Sequence, residues 1–101
     1  MHILCGDIGG TKTRLAIVEL ARQSLSSQVE TSYPSAEYDS LAQVISDFTR
    51  QLPHTIRHAA FGVAGPVLND SCSTTNLPWV IDAKELSRDL ELDSTHLLND
   101  L

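Results

Sequence analysis

Two apolar runs near the amino terminus are separated only by a short polar turn that contains two adjacent glycines. The stretch over residues 4–20 reads LCGDIGGTKTRLAIVEL, with Gly9 and Gly10 at its centre. Strands joined this closely pair antiparallel, and a tight turn between them favours glycine where φ is positive. The pattern therefore predicts a β-hairpin at the start of the fold, formed by residues 2–7 and 13–20.

The same turn carries polar groups that a plain hairpin does not need. Asp7 precedes the glycine pair, and Thr11, Lys12 and Thr13 follow it. Backbone N–H groups at glycines, two hydroxyls and a cation suit a polyphosphate, and a carboxylate can face a hydrated Mg²⁺. The stretch has no Walker A pattern. From the residues alone, a plain hairpin with a solvated lysine and a phosphate site remain equally good interpretations.

The rest of the chain predicts further strands and two helices. Residues 25–33 are more polar and predict an edge strand of the same antiparallel meander. A helix follows, capped by Ser40 and ended by Pro53, because apolar residues recur at helical spacing: Leu41, Val44, Ile45, Phe48 and Leu52. A second, shorter helix begins at Asp82.

Three apolar or turn-rich stretches complete the pattern. Residues 57–67 are almost wholly apolar and predict a central strand covered on both faces. Residues 67–76 predict a small hairpin around Asn69 and Asp70, and residues 96–100 predict a last short strand.

This order of elements predicts the α/β class. Three antiparallel strands followed by strand–helix alternation indicate a mixed β-sheet with helices packed on it. The 101 residues form at most one domain. The chain stops at Leu101, one residue past the last predicted strand, and we expect it to be a fragment of a longer protein.

Composition excludes several classes of partner. The chain has 7 Lys and Arg against 13 Asp and Glu, a net charge of −6, and no basic cluster, which argues against nucleic acid and anionic membranes. No apolar run approaches the length of a membrane span, and no leader pattern is present, so we expect a cytoplasmic protein. Cys5 and Cys72 have no zinc-type spacing, and Cys5 is expected to be a buried free thiol.

Four motifs together resemble one protein family. The motif GDIGGTKTRLAI looks like the first phosphate motif of sugar kinases in the actin-like ATPase superfamily. The motifs FGVAGPV, TTNLPWVID and LLND then follow in the order and spacing of the bacterial glucokinase family. The resemblance covers essentially the whole chain, as that family's small N-terminal domain. It implies a ribonuclease H-like fold, and a missing larger domain that holds the adenosine pocket.

On the sugar side, the resemblance implies three residues. Asp100 is expected to be the catalytic base at the 6-hydroxyl of glucose, and Asn99 to bind sugar hydroxyls. Asn76 is expected at the rim of the sugar site, and Trp79 is expected to be a packing anchor.

On the nucleotide side, the resemblance implies ATP and Mg²⁺ as cofactors. The phosphate turn maps onto Gly9, Gly10, Thr11 and Lys12, although the family often has Asn where Lys12 stands. Asp7 is expected near the Mg²⁺, through water.

Three functions remain open on these motifs. The first is an ATP-dependent glucose kinase that acts on glucose, binds neither nucleic acid nor membrane, and forms a homodimer. The second is another hexose or N-acetylhexosamine kinase of the superfamily. The third is a non-enzymatic sugar-responsive regulator, disfavoured because Met1 is followed at once by the first strand rather than by a DNA-binding segment.

Overall fold

The computed structural model describes residues 1–21, 24–53, 55–74 and 77–99. These residues form seven strands, two α-helices and one short 3-10 helix. The strands are β1 His2–Ile8, β2 Lys12–Ala21, β3 Ser24–Pro34, β4 His58–Val63, β5 Ser71–Ser73, β6 Val80–Asp82 and β7 Ser94–Asn99. The α-helices are α1 Leu41–Arg50 and α2 Ala83–Asp89, and the 3-10 helix is Ser35–Glu37.

The main sheet has five strands in the order β3-β2-β1-β4-β7. The strands β1, β2 and β3 form an antiparallel meander, with a register irregularity between Ile17 and Val18. The strands β4 and β7 join parallel to β1. Parallel neighbours need a crossover, and α1 and α2 supply helical connections before β4 and β7. The predicted mixed α/β sheet is confirmed.

Both helices begin where their capping residues predict. The Ser40 hydroxyl accepts from the Gln43 amide at 3.2 Å, which satisfies an amide that the first turn of α1 leaves unpaired. The Asp82 carboxylate accepts from the Lys84 and Glu85 amides, each at 3.0 Å, at the start of α2. These local bonds explain why each helix starts at its observed residue.

The hydrophobic core lies on one face of the sheet. On β1, Leu4 and Ile8 are buried, whereas Ile3 and Cys5 on the alternate positions are only half-buried. Both helices pack on the buried face, through a single cluster whose largest members are Leu4, Ile8, Leu15, Ile17, Val44, Ile45, Phe48, Phe61, Val63, Trp79 and Leu86. Burial of each such side chain stabilises the fold by roughly 2 kcal/mol.

β4 is an inner strand between β1 and β7, as expected, but the expectation that it is covered on both faces is wrong for the described residues. On β4, Phe61 and Val63 are buried, while the alternate residues Ala60 and Gly62 are half-buried. The strand reads as fully apolar because the residues on its second face are small, and both helices pack on the first face.

The small hairpin predicted over residues 67–76 has the expected turn, but its second strand has a different partner. Asn69 and Asp70 do form a tight turn, both with positive φ, closed by reciprocal bonds of 2.9 Å between Leu68 and Ser71. The following strand β5, however, pairs with β6 and not with a segment inside residues 67–76. A three-residue strand finds its partner through tertiary packing, which local sequence does not encode.

Two further expectations concern burial and membranes. Cys72 is buried, but Cys5 is half-buried on the second face of the sheet, so the prediction of a buried Cys5 thiol is wrong. Both thiols are free in the described residues, and partial burial raises the pKa of the Cys5 thiol. No helix of the described ranges is long and apolar enough to cross a membrane.

Candidate active site

Three parallel strands end at the sheet edge where the β1–β2 turn lies. In the pairing register, Ile8 of β1 stands opposite Val63 of β4, and Val63 stands opposite Asn99 of β7. Because neighbouring strands are about 4.8 Å apart, the ends of β1 and β7 are roughly 10 Å apart. Ligands of α/β sheets bind at this carboxyl edge of the strands. The fold therefore brings the two halves of the predicted site, the turn and the end of β7, to one edge.

The β1–β2 turn is closed by a single backbone bond. The Gly9 amide donates to the Lys12 carbonyl oxygen at 2.9 Å, which places Gly10 and Thr11 at the tip. A Cβ at Gly9 would lie 3.0 Å from the same oxygen, tighter than most contacts of real Cβ atoms. The positive φ expected at the glycine pair is absent, since Gly65 is the only described glycine with φ above zero. The need for glycine at position 9 therefore follows from the lack of space for a Cβ, and not from a positive φ.

A buried hydroxyl holds this turn from below. Ser35, at the start of the 3-10 helix, is fully buried, and its hydroxyl donates to the Gly9 carbonyl oxygen at 2.8 Å. The Ser35 amide donates to the Thr11 carbonyl oxygen at 3.0 Å. The sequence interpretation missed Ser35, although it follows Pro34 directly at the end of a predicted strand.

Thr13 does not serve the role that the sequence suggested. Its side chain is fully buried, and its hydroxyl lies 2.9 Å from the hydroxyl of Ser35. Thr13 occupies a core-facing position of β2, two residues before the buried Leu15, so its side chain points away from any ligand above the turn. Thr11, by contrast, is exposed at the tip.

Asp7 lies beside the turn on the second face of the sheet. It is exposed, and it lines an open hollow of about 230 Å³ together with Cys5 and Arg14. The guanidinium of Arg14 lies 3.4 Å from the Glu30 carboxylate, which offsets its charge. Asp7 thus presents its carboxylate to solvent at the sheet edge.

Lys12 is exposed at the start of β2 and borders a separate hollow of about 220 Å³, next to Thr11 and Tyr33. A lysine at this place can move its ammonium group toward a phosphate above the turn, because its stem is long and flexible.

The residues present fit a hydrated metal ion but do not form a metal site by themselves. In the ranges that the structure describes, no group of three or more His, Cys, Asp or Glu side chains could hold a metal. Mg²⁺ is commonly bound by one or two carboxylates, with water and substrate phosphates completing its octahedron. A single exposed carboxylate at Asp7 is sufficient for that mode of binding.

The sugar side of the predicted site is described only in part. Asn99 is the last residue of β7 and is exposed at the common edge. Asn76 and Asp100 lie outside the described residues. Thr74 and Trp79, which flank residue 76 in the chain, are joined directly, because the Thr74 amide and hydroxyl both donate to the Trp79 carbonyl oxygen at 3.2 Å.

Trp79 is a packing anchor, as predicted. Its side chain is only 3% exposed, and its indole N–H donates to the Tyr38 carbonyl oxygen at 3.0 Å. Burial of the ring together with a partner for its N–H is the usual condition for a tryptophan in a core.

Comparison with known proteins decides the family. The family model described as Glucokinase matches residues 4–101, nearly the whole chain. The chain belongs to the glucokinase family. The resemblance inferred from the four sequence motifs is thereby confirmed.

Individual relatives agree with this assignment. The chain is 38% identical over 101 residues to the glucokinase of Trichormus variabilis, covering 97% of this chain and 30% of that protein. It is 33% identical over 99 residues to the glucokinase of Erwinia tasmaniensis, covering 98% of this chain and 30% of that protein. The chain therefore spans about 30% of the length of these curated relatives.

Solved structures carry the same fold. A glucokinase from an Antarctic psychrotroph superposes with a TM-score of 0.86 at 29% identity, over 98% of this chain and 32% of that chain. A hexokinase of Schistosoma mansoni complexed with glucose gives a TM-score of 0.65 at 18% identity, over 99% of this chain and 29% of that chain, a likeness of fold alone. The predicted actin-like ATPase fold is confirmed.

Proposed function

We propose that this chain is the small N-terminal domain of an ATP-dependent glucose kinase that forms glucose 6-phosphate. The observation that carries the proposal is the match of residues 4–101 to the glucokinase family. The geometry supports it, because the turn at Gly9 and Gly10 and the end of β7 at Asn99 share one edge of the sheet. The remaining ligands of ATP and glucose belong to a larger domain beyond this chain.

The turn and Asp7 serve the nucleotide in this proposal. The Gly10 and Thr11 amides and the Lys12 ammonium bind phosphate oxygens, and Asp7 holds Mg²⁺ through water. Phosphoryl transfer needs mainly in-line positioning and neutralisation of charge, and Mg²⁺ when bound supplies the latter. Gly10 at the tip allows close approach of phosphate oxygens to its amide, since this residue has no side chain.

The end of β7 serves the sugar. Asn99 and Asn76 hydrogen-bond to sugar hydroxyls, and the Asp100 carboxylate accepts the proton of the 6-hydroxyl. As that proton moves to Asp100, the oxygen forms a bond to the γ-phosphorus and the bond to the ADP oxygen breaks. General-base assistance of this kind accelerates such a step by about 10²–10⁴-fold.

We propose glucose, and not another sugar, as the substrate because of the sequence identity between this chain and its curated relatives. Those relatives are named glucokinases at 33–38% identity. We further propose that the whole protein acts in the cytoplasm as a homodimer, on soluble substrates and without nucleic acid or membrane.

A coupled kinase assay of the full-length protein tests this function. We expect ATP- and Mg²⁺-dependent phosphorylation of glucose, with kcat/KM for N-acetylglucosamine and N-acetylmannosamine lower by at least about 10²-fold. A preference for an N-acetylated sugar would contradict glucose as the substrate. The absence of phosphorylation for every sugar, with ATP saturating, would contradict the kinase activity itself.

A further inference from the structure

We infer that Ser35 is a positioning residue for the phosphate turn, and that it acts by fixing the orientation of the Gly9–Gly10 peptide. This inference rests on the proposed function of the turn. Ser35 is 0% exposed and lies on the core side of the turn, so it cannot touch a nucleotide. Its effect on the reaction must pass through the backbone that it holds.

The hydrogen-bond directions around Ser35 follow from proton counting. A serine hydroxyl has one proton, and that of Ser35 is donated to the Gly9 carbonyl oxygen at 2.8 Å. In the contact of 2.9 Å between the Ser35 and Thr13 hydroxyls, Thr13 must therefore be the donor. The two hydrogen bonds form a relay, in which Thr13 donates to Ser35 and Ser35 donates to Gly9, and each bond polarises the next.

The relay determines which way the next amide points. A peptide unit is planar and trans, so its N–H points opposite to its C=O. Because Ser35 holds the Gly9 carbonyl toward the core, the N–H of Gly10 points outward at the tip of the turn. That is the direction from which a phosphate would approach.

A second bond has the same effect two peptide units further on. The Ser35 amide donates to the Thr11 carbonyl oxygen at 3.0 Å, which turns the Lys12 N–H away from the 3-10 helix. The Ser35 carbonyl in turn accepts from the Tyr38 amide at 3.2 Å, inside the segment that Trp79 anchors. One buried residue thus orients two carbonyls of the turn, those of Gly9 and Thr11, and is itself held by the core.

The fold offers a matched control for the loss of such a hydroxyl. Ser87 on α2 and Thr95 on β7 form another serine–threonine pair, 2.8 Å apart and partly buried, away from the turn. Removing a hydroxyl from that pair deletes a comparable side-chain hydrogen bond, but neither of its residues contacts the turn.

The test compares Ser35→Ala and Thr13→Val with Ser87→Ala and Thr95→Val in the full-length protein. For each variant, KM for MgATP and for glucose, Kd for MgATP by calorimetry and Tm are measured. We expect Ser35→Ala to raise KM and Kd for MgATP about tenfold, with KM for glucose changed less than about twofold. Thr13→Val acts in the same direction, and Thr13→Ser, which retains the hydroxyl, restores the parent values.

Equal nucleotide constants for Ser35→Ala and Ser87→Ala, at comparable Tm, would overturn the inference. Should Ser35→Ala fail to fold, the comparison of Thr13→Val with Thr13→Ser decides. Binding of MgATP without phosphorylation of any sugar would overturn the proposed function alone, because the Kd values still measure the effect of Ser35. A parent protein that does not bind MgATP would overturn both.

Discussion

The indole N–H of Trp79 donates to the backbone carbonyl of Tyr38 at 3.0 Å, across 41 positions of the chain. This bond joins Trp79, three positions after the proposed sugar ligand Asn76, to the segment between the 3-10 helix and α1. The 3-10 helix that precedes this segment begins at Ser35, beneath the phosphate turn. The two proposed substrate contacts of this domain thus share one support.

The first prediction concerns this support. Trp79→Phe is expected to lower the free energy of unfolding by about 2 kcal/mol, because the Tyr38 carbonyl loses its partner and the smaller ring leaves a void. In the full-length protein, KM for glucose should also rise, because Trp79 lies three positions after the proposed sugar ligand Asn76. Chemical denaturation and steady-state kinetics measure the two effects. A loss of unfolding free energy below about 0.5 kcal/mol would contradict the prediction, because the hydrogen bond from Trp79 to Tyr38 would then contribute little to stability.

A second prediction concerns packing between β1 and β4. A Cβ at Gly6 would lie 2.6 Å from a ring carbon of Phe61 and 2.9 Å from a methyl of Leu15. Gly6→Ala is therefore expected to destabilise the fold by about 1–3 kcal/mol through overpacking. Phe61→Leu should partly rescue it, so that the double variant is more stable than the sum of the single changes predicts. Strict additivity by denaturation would contradict the contact.

The third prediction separates ligand binding from folding at the turn. Gly10 has no positive φ, so Gly10→Val should change Tm little, whereas its side chain should obstruct the approach of phosphate. We expect Kd for MgATP to rise by at least roughly tenfold in the full-length protein. Gly9→Ala is the comparison, since its Cβ would lie 3.0 Å from the Lys12 carbonyl oxygen and should lower Tm as well. Unchanged nucleotide affinity in Gly10→Val would contradict the proposed role of the tip.

Much of the fold could be predicted because its signals are local. The alternation of Leu15 and Ile17 on β2 and the stripe of Val44, Ile45 and Phe48 on α1 both match the observed burial. The caps at Ser40 and Asp82 also depend on residues within one helical turn. Such features need no knowledge of the tertiary structure.

The features that could not be predicted depend on contacts between distant segments. The pairing of β5 with β6 joins two strands of three residues each, too short for a periodic signal. The open second face at Ala60 and Gly62 follows from where both helices pack. Whether an apolar strand is covered on one face or two depends on neighbours that its own residues do not specify.

The residue types around the turn predict a candidate site, but not the buried residues that support it. They assign Gly9, Thr11 and Asp7 to phosphate and metal, roles that stay predictions, and the structure places all three at or beside the β1–β2 turn. The same reasoning assigns the Thr13 hydroxyl to the ligand, although the spacing of two from Leu15 indicates an inward position and hence a need for a buried partner. That need was the one signal in the sequence that pointed toward a residue such as Ser35.

A fourth prediction concerns residues 1–101 as a separate polypeptide. Two-domain kinases bind substrates in the cleft between their domains, so this chain alone should show no glucose phosphorylation and no glucose binding tighter than millimolar. Leu98 is 62% exposed on the second face of the sheet, and we expect self-association through this apolar surface. Light scattering should show dimers that Leu98→Ser weakens and Leu68→Ser, at another exposed leucine, does not. Micromolar glucose affinity in the isolated chain would contradict the shared cleft.

The central claim is that this chain supplies the catalytic base of a glucose kinase, and Asp100→Asn in the full-length protein tests it most directly. Asp93 directly precedes the first residue of β7, so Asp93→Asn is the matched control that makes the same chemical change away from the proposed site. Steady-state kinetics should give a kcat for Asp100→Asn lower by about 10²-fold or more, with glucose affinity changed only modestly. Asp93→Asn should retain the parent kcat. A near-normal kcat in Asp100→Asn would contradict the account.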